Sequence, residues 1–329
     1  MSTKLSILVP VYGVERFIET CATSLFEQTY PDIEYVFVDD CSPDGSIELL
    51  RRVIMRYPSR HGSVSIIRHD TNSGLGAARA TALAHATGDY VMHVDSDDCL
   101  PLDACSHLMD KALETEADIV DGGYAETCHG KVSQTFLPFH GSKEVYLRQM
   151  LCQNIVSNRI WGRIYRRTLF TRHGIKPVKG VDYSEDFCVV PRLLFHAQRA
   201  YTDQVVYHYR TDNLSSYTHQ VSAKNLRSMQ KASLIVYDYF MKNDTSRQYA
   251  FALQLGMLNL LRTERKHRET LNGVSSRPNT MDVFRPQGLT TKILAACWQS
   301  HCPYAVANAV YLAVRKIYVT YISAPWHKH

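Results

Sequence analysis

Residues 90–98 read Tyr90-Val91-Met92-His93-Val94-Asp95-Ser96-Asp97-Asp98, a short apolar run that stops at three carboxylates within four residues. A run of this length without polar alternation is what a strand covered on both faces requires. The carboxylates repel one another unless something positive sits among them. Oxygen donors of this kind suit Mg²⁺ or Mn²⁺, ions that commonly bridge phosphates. An acidic surface turn is the plain alternative for this stretch alone. Its position at a strand end favours the metal.

Upstream the same pattern repeats. Leu5–Val11 (LSILVPV), Glu34–Val38 (EYVFV) and Val64–Arg68 read as strands. Helical spacing fills the intervals: Val14–Gln28, Ser46–Tyr57 and the alanine-rich Gly76–Ala86. Strands alternating with helices imply right-handed crossovers and a doubly wound, mostly parallel α/β sheet. Ligands of such sheets sit beyond the carboxyl ends of the strands. The loops Tyr12–Glu15, Asp39–Asp44 and Asp95–Asp98 all fall at those ends. Beyond residue 100 the expected elements are a helix over Pro101–Glu114, strands at Asp118–Val120 and Tyr201–Tyr209, and a helix over Asp186–Ala197. From about residue 220 the chain reads as all helix, with apolar stretches at Ser246–Leu261 and Tyr304–Ile322.

Three further constellations carry chemistry. Asp40, after the second strand, can accept a hydrogen bond from a base or ribose, whereas Asp44 in Cys41–Gly45 (CSPDG) reads as a turn former. Asn72–Arg79 (NSGLGAAR) partly matches the dinucleotide fingerprint, with Asp95 at about the expected distance, but Arg79 stands where the last glycine belongs. A loop feeding a helix N-terminus there would suit a phosphate or ribose. Glu185-Asp186 opens a helix, where a carboxylate serves either as a cap or as a general base.

The motifs Pro10-Val11-Tyr12, Val38–Gly45 (VDDCSPDG), Asn72–Arg79, Gly88-Asp89-Tyr90 and Asp95–Asp98 follow one another in the order seen in family 2 glycosyltransferases. Over about residues 4–215 the chain resembles the bacterial, non-processive members that build capsules, exopolysaccharides or lipopolysaccharides. The resemblance implies a GT-A fold and inverting transfer from a nucleotide sugar, usually a UDP-sugar, to a hydroxyl of a glycan or lipid-linked acceptor. It implies Mn²⁺ or Mg²⁺ as cofactor. Asp95 and Asp97 match the D-x-D motif that binds the metal and the ribose or sugar, and Asp98 is expected to share the metal. Pro10, Tyr12, Glu15 and Asp40 match positions lining the nucleotide site, and Arg79 matches an arginine of the loop after the third strand. Arg210, in His208-Tyr209-Arg210 followed by Ser215-Ser216, resembles a late loop that touches the diphosphate. Asp186 matches the base, with Glu185 beside it. Trp161–Arg166 resembles a segment near the acceptor side. Gly13 stands where the family often has Asn. The Q-x-x-R-W motif of processive synthases is absent from the sequence.

The 329 residues are 45% hydrophobic and 21% charged, with no repeat or low-complexity run. The net charge of +5 is uneven: residues 1–219 carry 22 Lys+Arg against 27 Asp+Glu, and residues 220–329 carry 15 against 5. We expect a catalytic domain over 1–219 and a basic, helical region over 220–329. The basic region suggests an anionic partner, including contact with a membrane surface, although a solvated basic face explains it as well. No nucleic-acid motif accompanies the charge. Nine cysteines without a C-x-x-C pair, and no leader before the first strand, lead us to expect a cytoplasmic protein, with peripheral contact on the inner face of the cell membrane as an option opened by the basic region. No clean run of ~20 apolar residues supports a membrane span. Two other functions are weighed: an NAD-dependent oxidoreductase, from the partial glycine fingerprint, and a non-catalytic nucleotide-sugar-binding scaffold. The residues say nothing of oligomeric state, donor sugar or acceptor.

Overall fold

A computed structural model describes residues 3–152, 156–213, 222–267, 280, 284, 286–299 and 304–322. The chain divides into two compact units.

The first comprises Met1–His140, Arg159–Asp182 and His196–His219. It is built on β1 (Leu5–Val11), α1 (Ile18–Phe26), β2 (Ile33–Asp39), α2 (Ser46–Met55), β3 (Val64–Arg68), α3 (Leu75–His85), β4 (Tyr90–His93) and α4 (Ala104–Thr115). The order β3-β2-β1-β4 is parallel throughout. Successive side chains of a strand point to opposite faces. Leu5, Ile7, Val9 and Val11 therefore join one core with Leu25, Leu50 and Leu108 of α1, α2 and α4. Leu8, Val36 and Val38 are equally buried outside that core, where α3 packs on β1 and β2. Both faces are covered, so the strands lack polar alternation and the doubly wound expectation holds.

The sheet continues through β5 (Ile119–Cys128), β6 (Lys131–Phe136), β7 (Arg163–Arg166) and β8 (Arg199–Arg210). β7 and β6 pair antiparallel with successive halves of one edge of β5, and β8 runs parallel along its other edge. The expected strand Asp118–Val120 thus extends to Cys128, carried through Gly122-Gly123 by register shifts. Gly122 is required there, because a Cβ would lie 2.2 Å from Val206 Cγ2.

The second unit holds α5 (Lys143–Leu151), most of α7 (Glu185–His196), α8 (Ala223–Asn243), α9 (Ala250–Lys266), α10 (Leu289–Gln299) and α11 (Tyr304–Ile317), while α6 (Arg167–His173) stays with the sheet. Segments 141–158 and 183–195 therefore group with the C-terminal helices, although the sequence reading placed them within 1–219. Asp244 turns the chain between α8 and α9, accepting from Tyr249 N–H at 2.8 Å and Gln248 N–H at 3.2 Å. No described helix is long and apolar enough to cross a membrane.

Candidate functional site

The acidic loop leaves the sheet at its carboxyl edge. Val94 N–H still donates to Leu8 O (3.0 Å), and Asp98 N–H then closes a turn on Asp95 O (3.1 Å). Arg79, 1% exposed on α3, donates to Asp95 Oδ1 at 2.7 Å. Its neighbour His93 is fully buried. Burial, and then the Arg79 charge, hold that imidazole well below its ordinary pKa, so it adds no competing cation. The Tyr207 hydroxyl accepts from Asp95 N–H (3.0 Å) and donates to Asp98 Oδ2 (2.8 Å). Arg210 donates its backbone N–H to Asp98 Oδ1 (2.7 Å) and its Nε to Asp97 O (2.9 Å). Asn213 donates to Asp97 Oδ2 at 2.7 Å. One oxygen of Asp95 and one of Asp97 lie outside these side-chain bonds.

Burial, followed by the charges of Asp97 and Asp95, pushes Asp98 well above the usual carboxylate range. Burial and Asp95 raise Asp97, against the pull of Asn213. Carboxylates packed this closely repel one another, the electrostatic condition a cation relieves. Asp98 does not fit the third ligand position expected of it, because it is 2% exposed and both its oxygens are taken by Tyr207 and Arg210. Among the described residues no group of three His, Cys, Asp or Glu is arranged to hold a metal. Two carboxylates, with substrate phosphates completing the shell, are the usual protein share for Mg²⁺.

Asp40 is 3% exposed and occupied by its own chain. Oδ1 accepts from Ser73 N–H (2.8 Å) and faces His69 Nδ1 (2.7 Å), and Oδ2 accepts from Gly74 N–H (2.8 Å). Asp182 Oδ1 takes the next amide of this loop, Gly76 N–H, at 3.2 Å. Both glycines are needed: Gly74 has φ +90°, and a Cβ on Gly76 would lie 2.4 Å from Val178 O. Two carboxylates thus accept from the amides of Ser73, Gly74 and Gly76 at the start of α3, where a phosphate was expected, and would compete with it there. This removes the geometric ground for the NAD reading, whose pyrophosphate sits on such a helix end.

The loops after β1 and β2 clasp each other. Gly13 N–H donates to Ser42 Oγ (2.9 Å), Val14 N–H to Ser46 Oγ (3.0 Å), Glu15 N–H to Asp44 Oδ2 (3.0 Å), and Gly45 N–H to Glu15 Oε2 (3.0 Å). Burial works to raise Asp44, but bonds from Ser46, Glu15 and Ser42 outweigh it and hold the carboxyl below its ordinary range. Glu15 is a clasp residue as well as a candidate for the nucleotide site. Pro10 lies buried in β1, and Tyr12 stands 48% exposed at the rim.

Trp161 stacks on Tyr207 (centroids 4.4 Å apart) and on Tyr209 (5.3 Å), with Arg159 over its ring at 5.2 Å. This stack braces the Tyr207 hydroxyl beneath the acidic loop. Glu185 and Asp186 lie in the first turn of α7, in the second unit, after Ser184 at φ +65°. Ser215 and Ser216 lie outside the described residues. The structure therefore brings Asp95, Asp97, Asp98, Arg79 and Arg210 together in one network within the first unit. Sequence reading missed Tyr207, Asn213 and Asp182. They come from distant segments, and only Tyr207 carried a hint, through its neighbours His208-Tyr209-Arg210.

Comparison with known proteins gives the family and the fold. The model of the family described as Glycosyl transferase family 2 matches residues 6–174. An uncharacterized glycosyltransferase of Escherichia coli K12, YibD, is 30% identical over 236 residues, covering 68% of this chain and 67% of YibD. Among solved structures, S. aureus TarS 1–349 in complex with UDP-GlcNAc superposes with TM-score 0.60 at 16% identity, over 95% of this chain and 92% of that one. The mannosyltransferase PcManGT from Pyrobaculum calidifontis, in complex with GDP-Man and Mn²⁺, superposes with TM-score 0.50 at 17% identity, over 100% and 89%. The shared fold is the GT-A fold.

Proposed function

The chain belongs to glycosyl transferase family 2, and from that premise we propose an inverting, metal-assisted transferase that moves a sugar from a UDP-sugar to a hydroxyl of a glycan or glycolipid in surface polysaccharide synthesis. The observation that carries this reading is the acidic loop. Asp95 and Asp97 are held at the carboxyl edge of the parallel strands by Arg79, Tyr207, Arg210 and Asn213. The complexes of TarS with UDP-GlcNAc and of PcManGT with GDP-Man and Mn²⁺ support a nucleotide-sugar donor and a divalent cation.

Asp95 and Asp97 would hold the cation. When bound, it offsets charge gathering on the departing diphosphate. Arg79 acts through Asp95, fixing its rotamer so that no reorganisation is needed during reaction. Asp40 and the β1–β2 clasp fix the loops around the nucleotide, and Tyr12 offers a ring for the base. Transfer is one in-line displacement. The acceptor oxygen bonds to the anomeric carbon, the bond from that carbon to the phosphate oxygen breaks, and the electron pair leaves with the nucleoside diphosphate. Asp186 takes the acceptor's proton, with Glu185 beside it, an assignment that rests on the sequence resemblance.

The test is a panel of UDP- and GDP-sugars with Mn²⁺, with and without EDTA, following nucleoside diphosphate release. Release confined to one donor and lost in EDTA is expected. Release unchanged by EDTA sinks the metal assignment. Asp186→Asn should bind donor nearly as the parent does while transfer falls by about 10²-fold or more. Near-normal turnover by that variant removes Asp186 as the base.

A further inference from the structure

Helices α10 and α11 present an apolar face outward. α11 docks on α9 by one stripe only: Ala307 and Tyr311 are buried, and the Tyr311 hydroxyl donates to Leu255 O at 3.2 Å. A helix seated by one stripe normally turns polar residues to water. Here Val306, Val310, Leu312 and Ile317 of α11, with Leu289 and Ile293 of α10, are 37% to 76% exposed. These six are nearly half of the thirteen large hydrophobic side chains that are exposed among the described residues. Lys292 and Lys316 stand exposed on the same two helices. Residues 283–329 contain five Lys+Arg and no Asp or Glu.

We propose that this face lies on an anionic lipid bilayer. The apolar side chains would enter the headgroup–acyl boundary, and the lysines would pair with phosphate headgroups. Charge selects this occupant. A stretch of 47 residues without one carboxylate complements a negative surface and would repel a second copy of itself. At 14 residues α11 can lie on a bilayer but not cross it. The inference is independent of the reaction, since its readout needs no turnover.

The experiment is co-sedimentation of the 329-residue chain with phosphatidylglycerol–phosphatidylcholine vesicles and with pure phosphatidylcholine vesicles at physiological salt. Binding to the anionic vesicles should exceed binding to neutral ones by about tenfold. Val306→Asp/Val310→Asp and Lys292→Glu/Lys316→Glu should each lower it by about tenfold, with far-UV circular dichroism unchanged. Equal, negligible sedimentation with both vesicles overturns the proposal. So does a variant pair that binds like the parent. A dimer by light scattering that Val306→Asp/Val310→Asp dissociates, without vesicle binding, assigns the face to a second copy and also overturns it.

Discussion

Tyr207→Phe removes one oxygen from the centre of the acidic loop. That oxygen accepts Asp95 N–H at 3.0 Å and donates to Asp98 Oδ2 at 2.8 Å. Asp98 is 2% exposed, so water cannot replace the lost donor. A buried polar group left unpaired costs about 1–3 kcal/mol, and more when charged. With one amide and one carboxylate oxygen affected, we expect a loss of about 3 kcal/mol. For a domain of this size that corresponds to a fall in Tm of roughly 6–12 °C by calorimetry. The phenol stabilises the charged form of Asp98, so its removal raises that carboxyl further above its already raised position. The variant's deficit should therefore grow as pH rises through the raised pKa of Asp98, and shrink below it, where Asp98 is protonated with or without the phenol. Binding of Mn²⁺ with UDP should weaken in parallel, because Asp95 loses its backbone anchor. A fall in Tm under about 2 °C, or a deficit that does not depend on pH, would refute the view that Tyr207 holds the loop.

Two further outcomes test the framework around that loop. Gly76→Ala gains up to about 1 kcal/mol of helix propensity, but its Cβ would press on Val178 O at 2.4 Å and Val181 O at 2.6 Å. Overpacking against backbone costs about 1–3 kcal/mol, so the urea midpoint should fall, and a stabilised variant contradicts the packing described. Glu34 is opposed by burial, but bonds from Lys4, Ser6 and Thr87 prevail and lower it to about 2 from 4.5. A lowered folded pKa gives stability that is present above about pH 4.5 and lost as pH falls toward about 2. The difference in unfolding free energy between the parent and Glu34→Gln should therefore be full at pH 6, at most about 3 kcal/mol, and close by pH 2; a difference constant with pH removes the carboxylate as its source.

The first four strands and their helices were legible because β1, β2 and β4 are buried on both faces, β3 is a short β-branched run at the sheet edge, and turn residues mark the ends of each element. The second half was less so. β7 is four residues long, β6 is almost wholly exposed, and β5 runs through two glycines, so none shows the periodicity that marks a strand. The site divides in the same way. Carboxylates at strand ends could be found from order along the chain alone. What each one does could not, because the groups that decide it arrive from far away: Asn213 reaches Asp97 across 116 positions and Asp182 reaches Gly76 across 106. At Asp98 and Asp40 the sequence shows the acids but not the protein donors already bonded to them.

The self-capped end of α3 bears on selectivity. An open helix N-terminus collects whatever anion is abundant, and inorganic phosphate and dinucleotides would compete there with any slower-arriving substrate. With Asp40 and Asp182 seated on its amides, that competition never begins. Prior occupancy of these amides by the chain's own carboxylates would disfavour free phosphate at this helix end. On the proposed reading, the donor's phosphates would meet the acidic loop of Asp95 and Asp97 rather than the end of α3.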